Sequence, residues 1–204
     1  MTHKLIRTVL RLTLVPMLMV LLPALALLAW YCWLHWSGNY HAVMDSQLYR
    51  SGQLEAADLQ EHISKDHLRS ILNLRGPNPN ESWYQGEMAV ALQNGVEHHD
   101  ITLSAGTLVP LEQSERILAL IQNAPKPLLV HCSDGADRTG FVVALYLASQ
   151  GQSAQTASQQ LSLRFGHFPY AHWAFSKTMD DSLALFLENK NIQSTPVTHP
   201  ISKP

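Results

Sequence analysis

Residues 128–149 read LLVHCSDGADRTGFVVALYLAS, and no other stretch limits the fold as tightly. LLVH is short, apolar and β-prone, the pattern of a buried strand. GFVVALYLAS is apolar on every side, and a helix without a polar face has to be enclosed by other elements. Only small and polar residues separate the two. A strand that passes through a short polar loop into a fully buried helix is a unit of layered α/β architecture.

The flanking sequence repeats that alternation. LYRSGQ from Leu48 reads as a short strand ending in a turn, and Leu59 and Ile63 mark a helix in EAADLQEHISKDH. SILNL over 70–74 is a compact strand, and RGPNPNES is a loop on Gly and Pro grounds. Ser82 is the expected N-cap of a helix over WYQGEMAVALQN that Gly95 stops. VEHHDITL reads as another strand. Pro110 opens a helix with Leu111, Ile117, Leu118 and Ile121 in one stripe. Further helices are expected near 153–165 and 172–188, and the polar, Pro-rich tail over 190–204 as disordered. The fold class is therefore α/β, a central, mostly parallel sheet flanked by helices. Ligands of such sheets bind beyond the carboxyl ends of the strands, where residues 132–138 lie.

The N-terminus has a different composition. Leu12–Trp36 contains no Asp, Glu, Lys or Arg, and about 20 apolar residues suffice to cross a bilayer. Pro16 and Pro23 would kink such a helix, which membrane spans tolerate. Trp30, Tyr31, Trp33 and Trp36 gather at one end, as interfacial aromatics do. Lys4, Arg7 and Arg11 precede the run and the next basic residue is Arg50. That bias puts the N-terminus in the cytoplasm and the remainder outside, in the periplasm of a Gram-negative cell. A cleaved signal peptide is the competing reading, since Ala24–Leu25–Ala26 fits a small-x-small cleavage site. The expected layout is a stub and anchor over 1–36, a linker over 37–47, the main domain over 48–189 and the tail. The net charge of −2 makes no electrostatic case for nucleic acid.

Cys132 is the only cysteine outside the apolar run, so no disulfide framework exists in the main domain. The loop entering the helix directs several N–H groups at one point, where the helix N-terminus adds partial positive charge. Gly135 lets the backbone curl, and Arg138 offers a planar fork for two phosphate oxygens. Residues Ser133, Asp134, Gly135, Ala136, Asp137 and Arg138 thus form a dianion cradle. Helix termini and cationic neighbours also favour a thiolate, which makes Cys132 a nucleophile beneath a bound phosphorus. Thr139 is placed to hydrogen-bond the sulfur as it leaves, and His131 to order the loop.

His131, Cys132, Gly135, Arg138, Thr139 and Gly140 in this spacing resemble the signature of the protein tyrosine phosphatase superfamily. YRSGQ, ILNLRG and the short chain look like small bacterial members of its dual-specificity branch, over residues 48–170. The resemblance implies a two-step reaction through a phosphocysteine, with Arg138 and the loop amides stabilising the equatorial oxygens, and needs neither metal nor cofactor. It also implies an upstream aspartate as general acid. Asp100, 32 positions before Cys132, is the candidate, its plainer reading being a strand-end carboxylate. His98 shares its face and His99 the opposite one, by strand alternation.

Asp134 and Asp137 are expected on the outside of the loop, as braces or paired with a basic residue, for which Arg50 and Arg75 are candidates. A functional role is the alternative, because CSDGADRT is also close to the loop of myotubularin-like lipid phosphatases, in which a loop aspartate serves as proton donor. Arg50 and Arg75 are supporting candidates, with substrate contact open to both. Trp83, Tyr84, Trp173 and Phe175 are read as packing before pocket lining. The expected function is a membrane-anchored phosphate monoester hydrolase acting on protein phosphotyrosine. A lipid or small phosphate ester is the alternative, and a phosphate-binding module with little catalysis the reading of another class.

Overall fold

The computed structural model describes residues 2–168 and 177–190, in two compact units, Met1–Ser37 and Gly38–Pro204. The first unit is one helix, α1 (Thr2–Trp36), which continues through Pro16 and Pro23. Its segment Val15–Trp36, 22 residues long, contains an 18-residue window with a mean hydropathy of 2.1. At 1.5 Å per residue it is roughly 33 Å long, enough to cross a hydrocarbon core.

The second unit is built on five strands: β1 (His41–Met44), β2 (Leu48–Ser51), β3 (Ser70–Asn73), β4 (Glu97–Asp100) and β5 (Leu128–His131). Their order is β1-β2-β5-β3-β4. β1 runs antiparallel to β2, and the other neighbours are parallel. β5 is the middle strand, with Leu129 opposite both Tyr49 and Ile71. The expected mostly parallel sheet is therefore present, and the strand that leads into Cys132 lies at its centre.

Strand alternation sorts the two faces. Leu48, Leu72, Leu128 and Val130 pack with α4 (Leu111–Asn123), α5 (Asp137–Ser149) and α7 (Lys177–Asn189). Tyr49, Ile71 and Leu129 pack with α2 (Ala56–Asp66) and α3 (Ser82–Asn94). Phe141–Leu147 is buried throughout, as the unbroken apolar character of α5 requires.

Several boundaries differ from the sequence reading. The expected linker 37–47 contains β1, an edge strand whose residues are only partly buried, so its apolar signal is weak. The N-cap of α3 is Glu81, with Ser82 the first helical residue. Gly95 does end that helix, in the left-handed region at φ 65°. α5 begins at Asp137, two residues before the expected Thr139. The helix expected over 153–165 is reduced to α6 (Ala154–Ser158) and a 3-10 turn at Leu163–Phe165. The chain leaves α6 at Gln160, whose carbonyl accepts from Arg50 (3.0 Å) instead of extending the helix. Residues 172–176 of the last expected helix and the tail beyond 190 lie outside the described residues.

Gly140, in the first turn of α5, is pressed against the Gln160 turn. A Cβ there would lie 2.6 Å from the Gln160 carbonyl oxygen and 2.9 Å from Leu161 Cδ2. Gly140→Ala is expected to lower unfolding stability by about 1–3 kcal/mol through overpacking, measurable as a shift in the denaturant midpoint without a change in slope.

Candidate active site

Cys132 is the first residue after β5, and α5 begins five positions later, at Asp137. Three consecutive carbonyls of this loop are each taken by a donor behind it. Ser133 O accepts from the Gln53 backbone N–H (2.8 Å). Asp134 O accepts from Asn39 Nδ2 (2.9 Å). Gly135 O accepts from an Arg50 guanidinium nitrogen (2.6 Å). Carbonyls turned outward leave the loop's N–H groups to converge on the inside, as the anion cradle requires. Gly135 has φ 73°, and a Cβ there would sit 2.5 Å from Gly52 N, so only glycine fits against the β2 turn.

Arg50 extends from β2 beneath the loop. It is fully buried, lies 3.7 Å over the Phe165 ring, and also donates to Gln160 Oε1 (2.6 Å). Among the described residues its Nε has no hydrogen-bond partner. Burial lowers its pKa to about 9, so it remains a cation at neutral pH. Arg50 is thus a brace of the 132–138 loop, not a partner of Asp134 or Asp137.

The two loop aspartates differ. Asp134 is exposed on the rim and, among the described residues, is tied down through its main-chain oxygen. Asp137, at the start of α5, accepts from His167 Nδ1 (2.7 Å), and His167 Nε2 bonds Asp180 of α7 (2.8 Å). His167 is wholly buried between the two carboxylates. Its own burial opposes the charged ring, but the bonds to Asp137 and then Asp180 push its pKa up to about 9. The bracing role expected for these aspartates holds for Asp137, with His167 in place of the expected arginines.

His131 orders the loop from the opposite face. Its Nδ1 lies 3.3 Å from Cys132 O, and its Nε2 lies 3.2 Å from Glu87 Oε1. Glu87, buried on α3, also receives His98 (2.7 Å) and Gln53 Nε2 (2.8 Å). Burial alone would raise its pKa, but attraction to His131 and the bonds from His131, His98 and Gln53 hold it far below the usual carboxylate range. His99 lies on the other face, beside Glu97 (3.4 Å).

Asp100 ends β4, level with Asn73 of β3, which in turn pairs with His131. Both of its oxygens are engaged: Oδ1 by Asn73 Nδ2 (2.7 Å) and Oδ2 by the Tyr84 hydroxyl (2.6 Å). Burial and then the bond to Asp100 push the Tyr84 phenol up to about 12, so it stays a donor. The segment after Asp100 reaches the cradle, where Leu103 O lies 3.4 Å from an Arg138 nitrogen, but residues 101–110 contain no acid.

Thr139 is buried, and its hydroxyl donates to Ser51 O (3.4 Å). Arg75 donates to Gln53 Oε1 (3.0 Å) and stacks 3.6 Å over the ring of Trp83. Trp173 and Phe175 lie outside the described residues. Five contributors were given no role by the sequence reading: Asn39, Gln53, Glu87, Gln160 and His167. All except Gln53 come from outside the motif segments, and YRSGQ itself flagged Gln53 without assigning it a task.

The profile of the family described as "DSP-PTPase phosphatase fused to NAD+ Kinase" matches residues 34–177, more than half of the chain. The chain belongs to this family. It is a dual-specificity-type phosphatase, a phosphoric monoester hydrolase, as the sequence reading expected. Solved structures of the same fold include TpbA of P. aeruginosa, 21% identical with a TM-score of 0.58 over 76% of this chain and 92% of that one. The catalytic core of SIW14 from S. cerevisiae is 22% identical, with a TM-score of 0.56 over 75% and 93%. Human DUSP28 is 19% identical, with a TM-score of 0.53 over 75% and 95%. Comparison with curated proteins yields no match.

The clasp at His167 has a pH signature. A histidine with a raised native pKa contributes stability that is complete below its unfolded value near 6.5 and is lost as pH climbs through about 9. The melting temperature should therefore fall from neutral to alkaline pH across that window. His167→Gln should lower the melting temperature at pH 7 and flatten this part of the curve, read by thermal denaturation at several pH values.

Proposed function

We propose that this phosphatase removes phosphate from protein phosphotyrosine through a phosphocysteine on Cys132. The observation that carries the reading is the outward turn of three loop carbonyls between Cys132 and Arg138. It leaves an inward ring of N–H groups above the sulfur, completed by a guanidinium. In the first step the sulfur attacks phosphorus and the ester oxygen departs with a proton. In the second, water attacks the phosphocysteine, releasing inorganic phosphate and the thiolate. Arg138 and the loop amides stabilise the equatorial charge in both. For Thr139 to support the sulfur as leaving group, its hydroxyl must exchange its bond to Ser51 O for one to Cys132 Sγ. TpbA has been solved with pTyr bound, in agreement with this substrate class, whereas SIW14 is described as a PP-IP phosphatase.

Asp100 is the proposed proton donor by its spacing, and to act it must exchange its bond to Tyr84 or Asn73 for one to the leaving oxygen. Asp137 is the rival, because its hydrogen bond runs through Oδ1 alone. In pH–rate profiles, Asp100→Asn is expected to lose the alkaline limb, which reports a protonated group. Loss of that limb in Asp137→Asn alone transfers the role.

The segment Val15–Trp36 is the proposed single membrane anchor, with the N-terminus cytoplasmic and the phosphatase unit on the extracytoplasmic side. Its length and hydropathy support this. The intact mass of the mature protein separates an anchor from a cleaved leader.

Phosphate release from 4-nitrophenyl phosphate by the full chain in detergent should fall more than about 1000-fold in Cys132→Ser, as nucleophile removal does elsewhere. Trapping during turnover should place phosphorus on Cys132. A phosphate-binding module would show neither. Comparing phosphotyrosine peptides with phospholipid headgroups and small phosphate esters then tests the substrate class.

A further inference from the structure

Arg75 is a second arginine at the mouth of the cradle, and the reaction outlined above gives it no task. It follows β3, the strand beside β5, and Leu74 N–H donates to His131 O (2.9 Å) immediately before the catalytic cysteine. Arg75 therefore stands level with the phosphate loop. Gln53 links them directly: its side chain holds Arg75 (3.0 Å) and its backbone holds Ser133 O (2.8 Å).

The guanidinium is fixed without being neutralised. Trp83 supports one face at 3.6 Å, and stacking of this kind orients the planar fork while leaving its edge N–H groups available. Gln53 is a neutral acceptor and uses only one of five donors. Among the described residues, no carboxylate lies within 4 Å of Arg75 or of Arg138. Burial and then the charge of Arg138 lower the Arg75 pKa, outweighing the opposing pull of Cys132, Glu87 and Asp134. Two arginines with no carboxylate in direct contact exceed what one phosphate dianion requires, since Arg138 and the loop amides already cover the equatorial oxygens.

We infer that Arg75, oriented by Trp83 and Gln53, forms a second anion subsite that selects phosphate monoesters carrying another anionic group close to the scissile phosphate. This rests on the phosphatase reading of Cys132 and narrows its substrate class. The second group is a carboxylate or phosphate that accepts a forked pair of N–H bonds. It comes either from an acidic residue flanking a phosphotyrosine or from a second phosphate on a small molecule. The exposed Asp134 on the rim works against it, and so sets how strongly the preference is expressed.

The test compares kcat/KM within two substrate pairs, using the full chain in detergent. One pair is phenyl phosphate and benzene-1,3-diyl bisphosphate. The other is a phosphotyrosine peptide with Asn or Asp immediately before the phosphotyrosine. The doubly anionic member should be favoured about tenfold in at least one pair, the size of one charge-assisted contact, and the pair that shows it identifies the source. Arg75→Gln should bring that ratio close to one, Arg75→Lys should retain part of it, and Asp134→Asn, which leaves the arginine untouched, should raise it. A wild-type ratio near one in both pairs, or a preference that survives Arg75→Gln, overturns the subsite. If the wild type cleaves no member of either pair, the Cys132 reading itself falls and takes this inference with it.

Discussion

The site depends on which way the carbonyls of Ser133, Asp134 and Gly135 point. A peptide unit has two polar ends, and the loop can offer N–H groups to an anion only if its oxygens find donors elsewhere. Those donors come from three places in the chain: the Asn39 side chain, the Gln53 backbone and the buried Arg50. Each also has a second duty. Asn39 holds Phe165 O, Gln53 reaches Glu87 and Arg75, and Arg50 fixes the Gln160 turn. The cradle is therefore part of the packing of the whole unit, and pre-organisation of this kind lets its dipoles act on developing charge without rearranging during the reaction.

Its supports also differ in electrostatic character on the two sides of the sheet. Behind the loop lies a cation, Arg50, whose field adds to that of the amides. Across the sheet lies an anion, Glu87, which gathers His131 and His98. Burying a carboxylate is costly unless it is paired and hydrogen-bonded, and Glu87 meets that condition with three donors. The arrangement places positive charge on one side while holding the His131 ring next to Cys132 in one orientation.

Much of this was legible in the sequence. β5, the loop and α5 could be read from one stretch because an all-apolar helix, a β-prone tetrad and a polar turn have distinct physical signatures. Strand alternation correctly put His98 and Asp100 together and His99 apart. What could not be read were partners remote in sequence. Glu87 lies in a helix with four buried residues and weak periodicity, so nothing local distinguishes it from a solvated acid. His167 follows a 3-10 turn, and Asp180 is thirteen residues further on. Their meeting with Asp137 is set by how α7 packs on α5. β1 was missed because a four-residue edge strand has neither the burial nor the alternation of an inner one.

Asn39 carries a consequence for where this protein can be divided. It stands only three residues beyond Trp36, yet its amide secures the loop between Cys132 and Arg138, and Gly38 O receives Gly52 N–H (2.8 Å). Proteolytic removal of the greasy leader at Ala24–Leu25–Ala26 would preserve that clasp. A recombinant fragment trimmed back to the first inner strand would discard it and begin life with an unfastened cradle.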